Sequence, residues 1–204
     1  MDGKNDIIRS IEKGNLSVGI IGLGYVGLPT AIGFLDAGFN VWGVDVSQHV
    51  VDTILRGENP TGDPEINDII PSPDSENWNI TTDTKLAVEN CEILIVTVPT
   101  PVTANLKPDL KYVISAGENI FKSIEPNSGK IVVLESTVYT GETSQSWLPL
   151  IEKYGLKEGI DVISRNPRLG IEGLRSISGS TDIGISELGY RTVSYTHLTL
   201  PTKA

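Results

Sequence analysis

The sequence predicts an α/β fold built on a doubly wound, mostly parallel sheet with helices on both faces. Three observations predict it. Short apolar runs at 18–21, 41–44, 92–98 and 130–134 alternate with stretches of helical periodicity, the pattern of strands that need crossover helices between them. The first run passes straight into glycines at positions 22, 24 and 27 and then into a helix. Finally, several runs end in glycines, hydroxyls or charged loops, which a parallel sheet would gather on one rim, where ligands lie in such sheets.

The elements follow in order. Residues 1–15 carry charges throughout, and Ile7, Ile8 and Ile11 suggest a short amphipathic helix. That stretch lacks the apolar core of a secretion signal. The strand at 18–21 leads into Gly22, which permits a tight turn. Gly24 removes a side chain where a pyrophosphate would approach the backbone, and Gly27 lets helix and strand pack closely. Phosphates would then meet the free N–H groups and positive dipole end of the helix. That helix begins near Leu28, tolerates Pro29 in its first turn, buries Leu28, Ala31, Ile32 and Leu35, and stops at Gly38. This is the signature of a Rossmann-type dinucleotide fold.

The run at 41–44 ends in Asp45, about 20 residues past the glycines, where a carboxylate can accept the ribose hydroxyls of an adenosine. Positions 46–49 read Val-Ser-Gln-His, without the nearby arginine that NADP would call for, so NAD is expected. The alternative is a glycine turn of some other α/β protein, with Asp45 only a cap. Ser47 can cap the next helix, in which Val50, Val51, Ile54 and Leu55 face the sheet. Prolines 60, 64, 71 and 73 then mark an irregular surface segment with one short helix around 65–69. A short strand at 79–81 follows, then a helix capped by Thr82 or Asp83, and then the run at 92–98, apolar enough to be buried on both faces. It ends in Pro99, Thr100 and Pro101, so Thr100 is expected at the cofactor cleft.

Pro108 and Asp109 open a helix carrying Val113, Ala116 and Ile120, and the strand at 130–134 runs into the hydroxyl-rich segment 135–143. The helix beginning near Glu142 contains Pro149, which predicts a kink or an early stop. A further strand at 160–164 leads to a loop with Arg165, Arg168 and Glu172.

Composition narrows the function. The 204 residues carry a net charge of −10, which argues against nucleic acid or an anionic membrane as the main partner. No uninterrupted apolar stretch approaches the roughly 18 residues of a membrane span. The single cysteine, Cys91, excludes a disulfide framework and a CxxC metal site, and no metal is expected. Such cysteine usage suits a cytoplasmic protein.

GLGYVGLP at 22–29, Asp45, VPTP at 98–101, PDL at 108–110 and ESTVYTGET at 135–143 together resemble the nucleotide-sugar 6-dehydrogenases of the UDP-glucose/GDP-mannose dehydrogenase family. The resemblance covers roughly residues 16–175. The GYVGLP form resembles the branch acting on UDP-N-acetylmannosamine and related UDP-N-acetylhexosamines. The resemblance implies oxidation of a sugar C6 hydroxymethyl to a carboxylate with two NAD in succession, through a cysteine thiohemiacetal and thioester. Carried onto this chain, it implies that Gly22, Gly24, Tyr25, Val26, Gly27 and Asp45 bind the adenosine diphosphate half, with Pro99, Thr100, Ser136 and Thr137 on the other side. It further implies that Thr137 contacts NAD or positions a water, a catalytic role shared with Glu172. The bland alternative for Thr100 and Thr137 is a strand-end hydroxyl bonding local backbone.

Two departures stand out. An arginine, Arg168, occupies the place of a glutamate expected in the family, where it could bind sugar or phosphate instead, or lie in solvent. The family's nucleophilic cysteine belongs to a central helix and substrate domain beyond residue 204, and Cys91, a small half-buried residue before a strand, cannot replace it. The stretch VSYTHLTLPT at 193–202 resembles a translated sequencing-library adaptor, so 1–192 is expected to be the NAD-binding domain and 193–204 a non-native tail. The chain alone should bind NAD without completing catalysis. The whole protein would act on a nucleotide sugar as a homodimer, the fragment existing as a monomer. A stand-alone NAD-binding module is the competing reading.

Overall fold

The computed structural model describes residues 16–103, 109–136, 138, 143–158 and 161–165. All belong to a compact unit, Met1–Asn166, while the second unit, Pro167–Ala204, lies outside the described residues. The expected N-terminal helix, the opening proline Pro108, and the tail at 193–204 also lie outside them.

Six strands form one sheet in the spatial order β3-β2-β1-β4-β5-β6, and every pairing is parallel. In chain order, β1 (Ser17–Ile21) leads to α1 (Gly27–Asp36), β2 (Asn40–Val44), α2 (Gln48–Leu55), the short α3 (Pro64–Asn67) and β3 (Trp78–Thr81). The chain then crosses over through α4 (Thr84–Asn90) to β4 (Ile93–Val96), followed by α5 (Lys111–Phe121), β5 (Lys130–Leu134), α6 (Leu148–Lys153) and β6 (Val162–Arg165). Strands β1 to β3 are laid down in one direction and β4 to β6 in the other. The direction reverses between β1 and β4, the place where a doubly wound sheet opens a crevice.

Two cores, one per face, explain the apolar runs. On one face Val18 and Ile20 of β1 pack with Leu28, Ala31 and Ile32 of α1 and Ile54 of α2. On the other, Ile21, Leu94 and Val96 pack with Ala87 and Val88 of α4, Val113, Ala116 and Ile120 of α5 and Ile151 of α6. Successive strand residues point to opposite faces, so a strand covered on both sides must be apolar along its covered length, as β4 is throughout and β1 is after Ser17. Trp147 is fully buried, donates from Nε1 to the Val113 carbonyl at 3.3 Å and meets Phe121 edge-on at 5.5 Å.

Three local expectations change. Pro149 does not end a helix: it sits in the first turn of α6, after a π-helical turn over Thr143–Trp147. A proline has no N–H to give the ladder, so the tight helix can begin at it more easily than continue through it. Helix α5 starts at Lys111, two residues past Asp109, whose carboxylate nevertheless accepts the Lys111 N–H at 3.1 Å. Cys91 is not half-buried but fully so.

Candidate functional site

The crevice is lined first by the turn between β1 and α1. Ile21 and Val96 are register partners, so Gly22 and Thr97 leave the sheet side by side at its carboxyl rim. Gly22 has φ of +100°, a conformation only glycine adopts without strain, and its N–H donates to the Val44 carbonyl at 2.7 Å. A β-carbon on Gly27 would lie 1.7 Å from the Gly22 carbonyl oxygen. No other residue fits there. Gly24 differs: a β-carbon built on it meets nothing within 4 Å. Its missing side chain leaves open space over the turn.

Among the described residues, no acceptor meets the backbone N–H groups of this turn from Gly24 to Gly27. The helical ladder begins with Leu28 N–H donating to the Gly24 carbonyl at 3.0 Å, so the N–H groups from Gly24 to Gly27 precede the first ladder bond. Val26, at the N-cap, supplies no side-chain cap, and the first turn holds no acidic residue. The positive end of the helix dipole is therefore left uncompensated beneath Gly24. Tyr25 and Val26 are exposed on the same turn.

Asp45 follows β2 and reaches back to this turn. One carboxylate oxygen accepts the Leu23 N–H at 2.9 Å and the other accepts the Ser47 N–H at 2.9 Å. Each oxygen keeps lone pairs for a further donor. Asp45 thus ties its own turn to the glycine turn, while the cap of the following helix is Ser47.

The opposite lip leaves β4. Val98, Pro99 and Thr100 follow Thr97, with Pro99 exposed and Thr100 partly so. Ser136, at the end of β5, is buried and donates its hydroxyl to the Val98 carbonyl at 2.7 Å, which holds this lip to the neighbouring strand. Thr137, Arg168 and Glu172 lie outside the described residues. Cys91 sits at the opposite end of the sheet, before β4, where burial, and Glu92 after it, push its thiol up to about 12. It is walled in and neutral, unlike a nucleophile. No group of three metal-ligating side chains occurs among the described residues.

Sequence reasoning missed Thr97. The residue is buried, 9% exposed, and its hydroxyl lies 2.7 Å from the Gly22 carbonyl oxygen and 3.1 Å from that of Ile21. The one signal for it was a hydroxyl inside an otherwise apolar run.

A parallel sheet of this strand order, with an open glycine turn and a carboxylate after the second strand, defines a dinucleotide-binding domain of the Rossmann type. Residues 16–174 match the NAD binding domain of the UDP-glucose/GDP-mannose dehydrogenase family. The chain belongs to that family, and NAD is the cofactor of its domain. It is similar to the UDP-N-acetyl-D-mannosamine dehydrogenase of Salmonella typhi, 36% identical over 65% of this chain and 31% of the relative. It is likewise similar to the UDP-N-acetyl-D-glucosamine 6-dehydrogenase of Pseudomonas aeruginosa, 34% identical over 69% of this chain and 32% of the relative. Among solved structures, GDP-mannose dehydrogenase of Pseudomonas aeruginosa, in a ternary complex, superposes with a TM-score of 0.71 at 28% identity, covering 87% of this chain and 44% of that one. The chain therefore spans about a third of the length of these curated relatives.

Proposed function

We propose that this chain supplies the NAD-binding half of a cytoplasmic enzyme that oxidises the C6 hydroxymethyl of a nucleotide sugar to a carboxylate, using two NAD. A UDP-N-acetylhexosamine is the favoured substrate, as in the Salmonella typhi relative. The observation that carries the cofactor assignment is the open face over Gly24, set between unpaired helix N–H groups and the Asp45 carboxylate.

The residues present suit the dinucleotide. Gly22, Gly24, Tyr25, Val26 and Gly27 would cradle its pyrophosphate, since their N–H groups and the helix dipole favour an anion there. Asp45, already oriented by Leu23 and Ser47, would accept the ribose hydroxyls and repel the additional phosphate of NADP. Pro99, Thr100, Ser136 and Thr137 would form or support the facing lip. Bound NAD supplies the hydride acceptor. Thr137 and Glu172 are proposed to handle water and protons, and Arg168 to bind the sugar nucleotide.

The chain as given is proposed to bind cofactor without completing the oxidation, because its single cysteine is buried far from this rim. The whole protein is proposed to be a homodimer. Calorimetry on residues 1–204 tests the cofactor assignment: NAD should bind, NADP should bind more weakly, and Asp45→Ala should lose about 1–3 kcal/mol. A protein folded by circular dichroism that ignores NAD would sink it.

A further inference from the structure

We propose that Thr97 is a positioning residue that sets the geometry of the pyrophosphate cradle from across the crevice; this rests on the NAD-binding role proposed above. Thr97 is the first residue after β4, while the turn it contacts follows β1, 75 residues earlier. Two bonds anchor it. Its backbone N–H donates to the Ile21 carbonyl at 2.9 Å, continuing the sheet by one rung. Its hydroxyl proton then goes to the Gly22 carbonyl oxygen, at 2.7 Å the nearer of two acceptors.

That carbonyl is the critical one. It is the atom on which a Gly27 β-carbon would collide at 1.7 Å, and the Thr97 hydroxyl lies 2.5 Å from the same hypothetical carbon. Gly22 O, Gly27 Cα and Thr97 Oγ1 are thus packed together beneath the turn. The carbonyl points inward, and its peptide partner, the Leu23 N–H, points to Asp45. The Gly22–Leu23 peptide plane is consequently held at both ends, by Thr97 at its oxygen and by Asp45 at its nitrogen. Rotation of this plane would redirect the N–H groups that follow.

Without the hydroxyl, the Gly22 oxygen loses its side-chain donor in a confined place, and the plane is held at one end only. The consequence falls on the part of the ligand that the turn would hold. Binding of NAD and of ADP-ribose, which share the pyrophosphate, should suffer. Binding of adenosine, which has none and would rely on Asp45, should change little.

Thr97→Val keeps the shape and removes the donor. In the full chain it should weaken NAD and ADP-ribose about tenfold by calorimetry, while adenosine, followed by NMR titration, shifts less than about twofold. Because the valine variant could fail to fold, Thr97→Ser and Thr97→Ala provide a second comparison in which both lack the methyl group and only one keeps the hydroxyl. The serine variant should bind NAD close to wild type, and the alanine variant should show the tenfold loss. Equal NAD affinity for serine and alanine variants, or equal losses for adenosine and ADP-ribose, would overturn the positioning role. If the unaltered chain folds and binds no nucleotide, the NAD-binding reading fails first and takes this inference with it.

Discussion

The two rims of the sheet are built from the same strands but solve opposite problems. At the amino rim, polar groups are consumed by one another. Asn79 of β3 donates to the Asn40 side-chain oxygen at 3.0 Å, Asn40 of β2 donates to the Ser17 hydroxyl at 2.8 Å, and the Ser17 N–H of β1 donates to the Glu92 carboxylate at 2.9 Å. Beyond β4, the Lys130 ammonium donates to the Cys91 carbonyl at 2.7 Å, and the Lys130 N–H donates to the Asp161 carbonyl at 3.1 Å. The Asp161 carboxylate closes the seam by accepting the N–H groups of Asn127 and Lys157. A polar seam therefore runs across all six strand entrances. At the carboxyl rim, glycines and a bare helix start leave donors unused. One rim is satisfied and holds register; the other is left unsatisfied where a ligand can complete it.

The sharpest break in that division should come from Gly27, which belongs to the carboxyl rim but is needed by the fold. Gly27→Ala must displace the Gly22 carbonyl, and denaturant unfolding should register a loss of about 3 kcal/mol or more, or no folded protein. Gly24→Ala separates the two roles: with no atom within 4 Å of the new carbon, stability should stay within about 0.5 kcal/mol of the parent. NAD affinity should nevertheless fall about tenfold or more, because the methyl group occupies the phosphate approach. Unchanged NAD binding by Gly24→Ala would mean that the open space is not the cradle.

On the amino rim the pattern should reverse. Glu92→Ala strands the Ser17 N–H and should cost about 1–2 kcal/mol in unfolding experiments, leaving the NAD dissociation constant unaltered. A matching loss of NAD affinity would show that the rims are coupled.

The smallest effect concerns pH. The N–H of Asn127 and then that of Lys157 hold the Asp161 carboxyl below the usual carboxylate range. Its contribution is fully present above the unfolded-state value near 4 and is lost as pH falls through the lower folded value. Asp161→Asn should flatten the acid limb of the stability profile and leave neutral-pH NAD binding unchanged. An acid limb as steep as in the parent would remove Asp161 from the seam's energetics.

The carboxyl rim was the more legible of the two. Gly22, Gly24, Gly27 and Asp45 could be read because their spacing reflects a local unit of strand, turn and helix, with the second strand close behind. Ser47 as a cap and the apolar β4 were legible for the same reason: propensity and burial are written in consecutive residues. Pro149 misled because its effect depends on which turn of the helix it occupies. The amino rim was invisible, since asparagines 40 and 79 look like ordinary loop-edge residues until the sheet aligns their strands.

By itself the sequence determined the class of fold, the glycine turn with the acid after the second strand, and the family. These follow from short-range spacing and from the requirement that doubly covered strands be apolar. Tertiary structure alone decided that Thr97 lies beneath the glycine turn, that Ser136 braces the opposite lip, and that Cys91 is sealed at the far rim. Thr97 and Gly22 are 75 positions apart, as are Ser17 and Glu92. Pairs so distant meet only because the chain crosses over after β3 and lays β4 against β1, and no local pattern encodes which hydroxyl will then face which carbonyl.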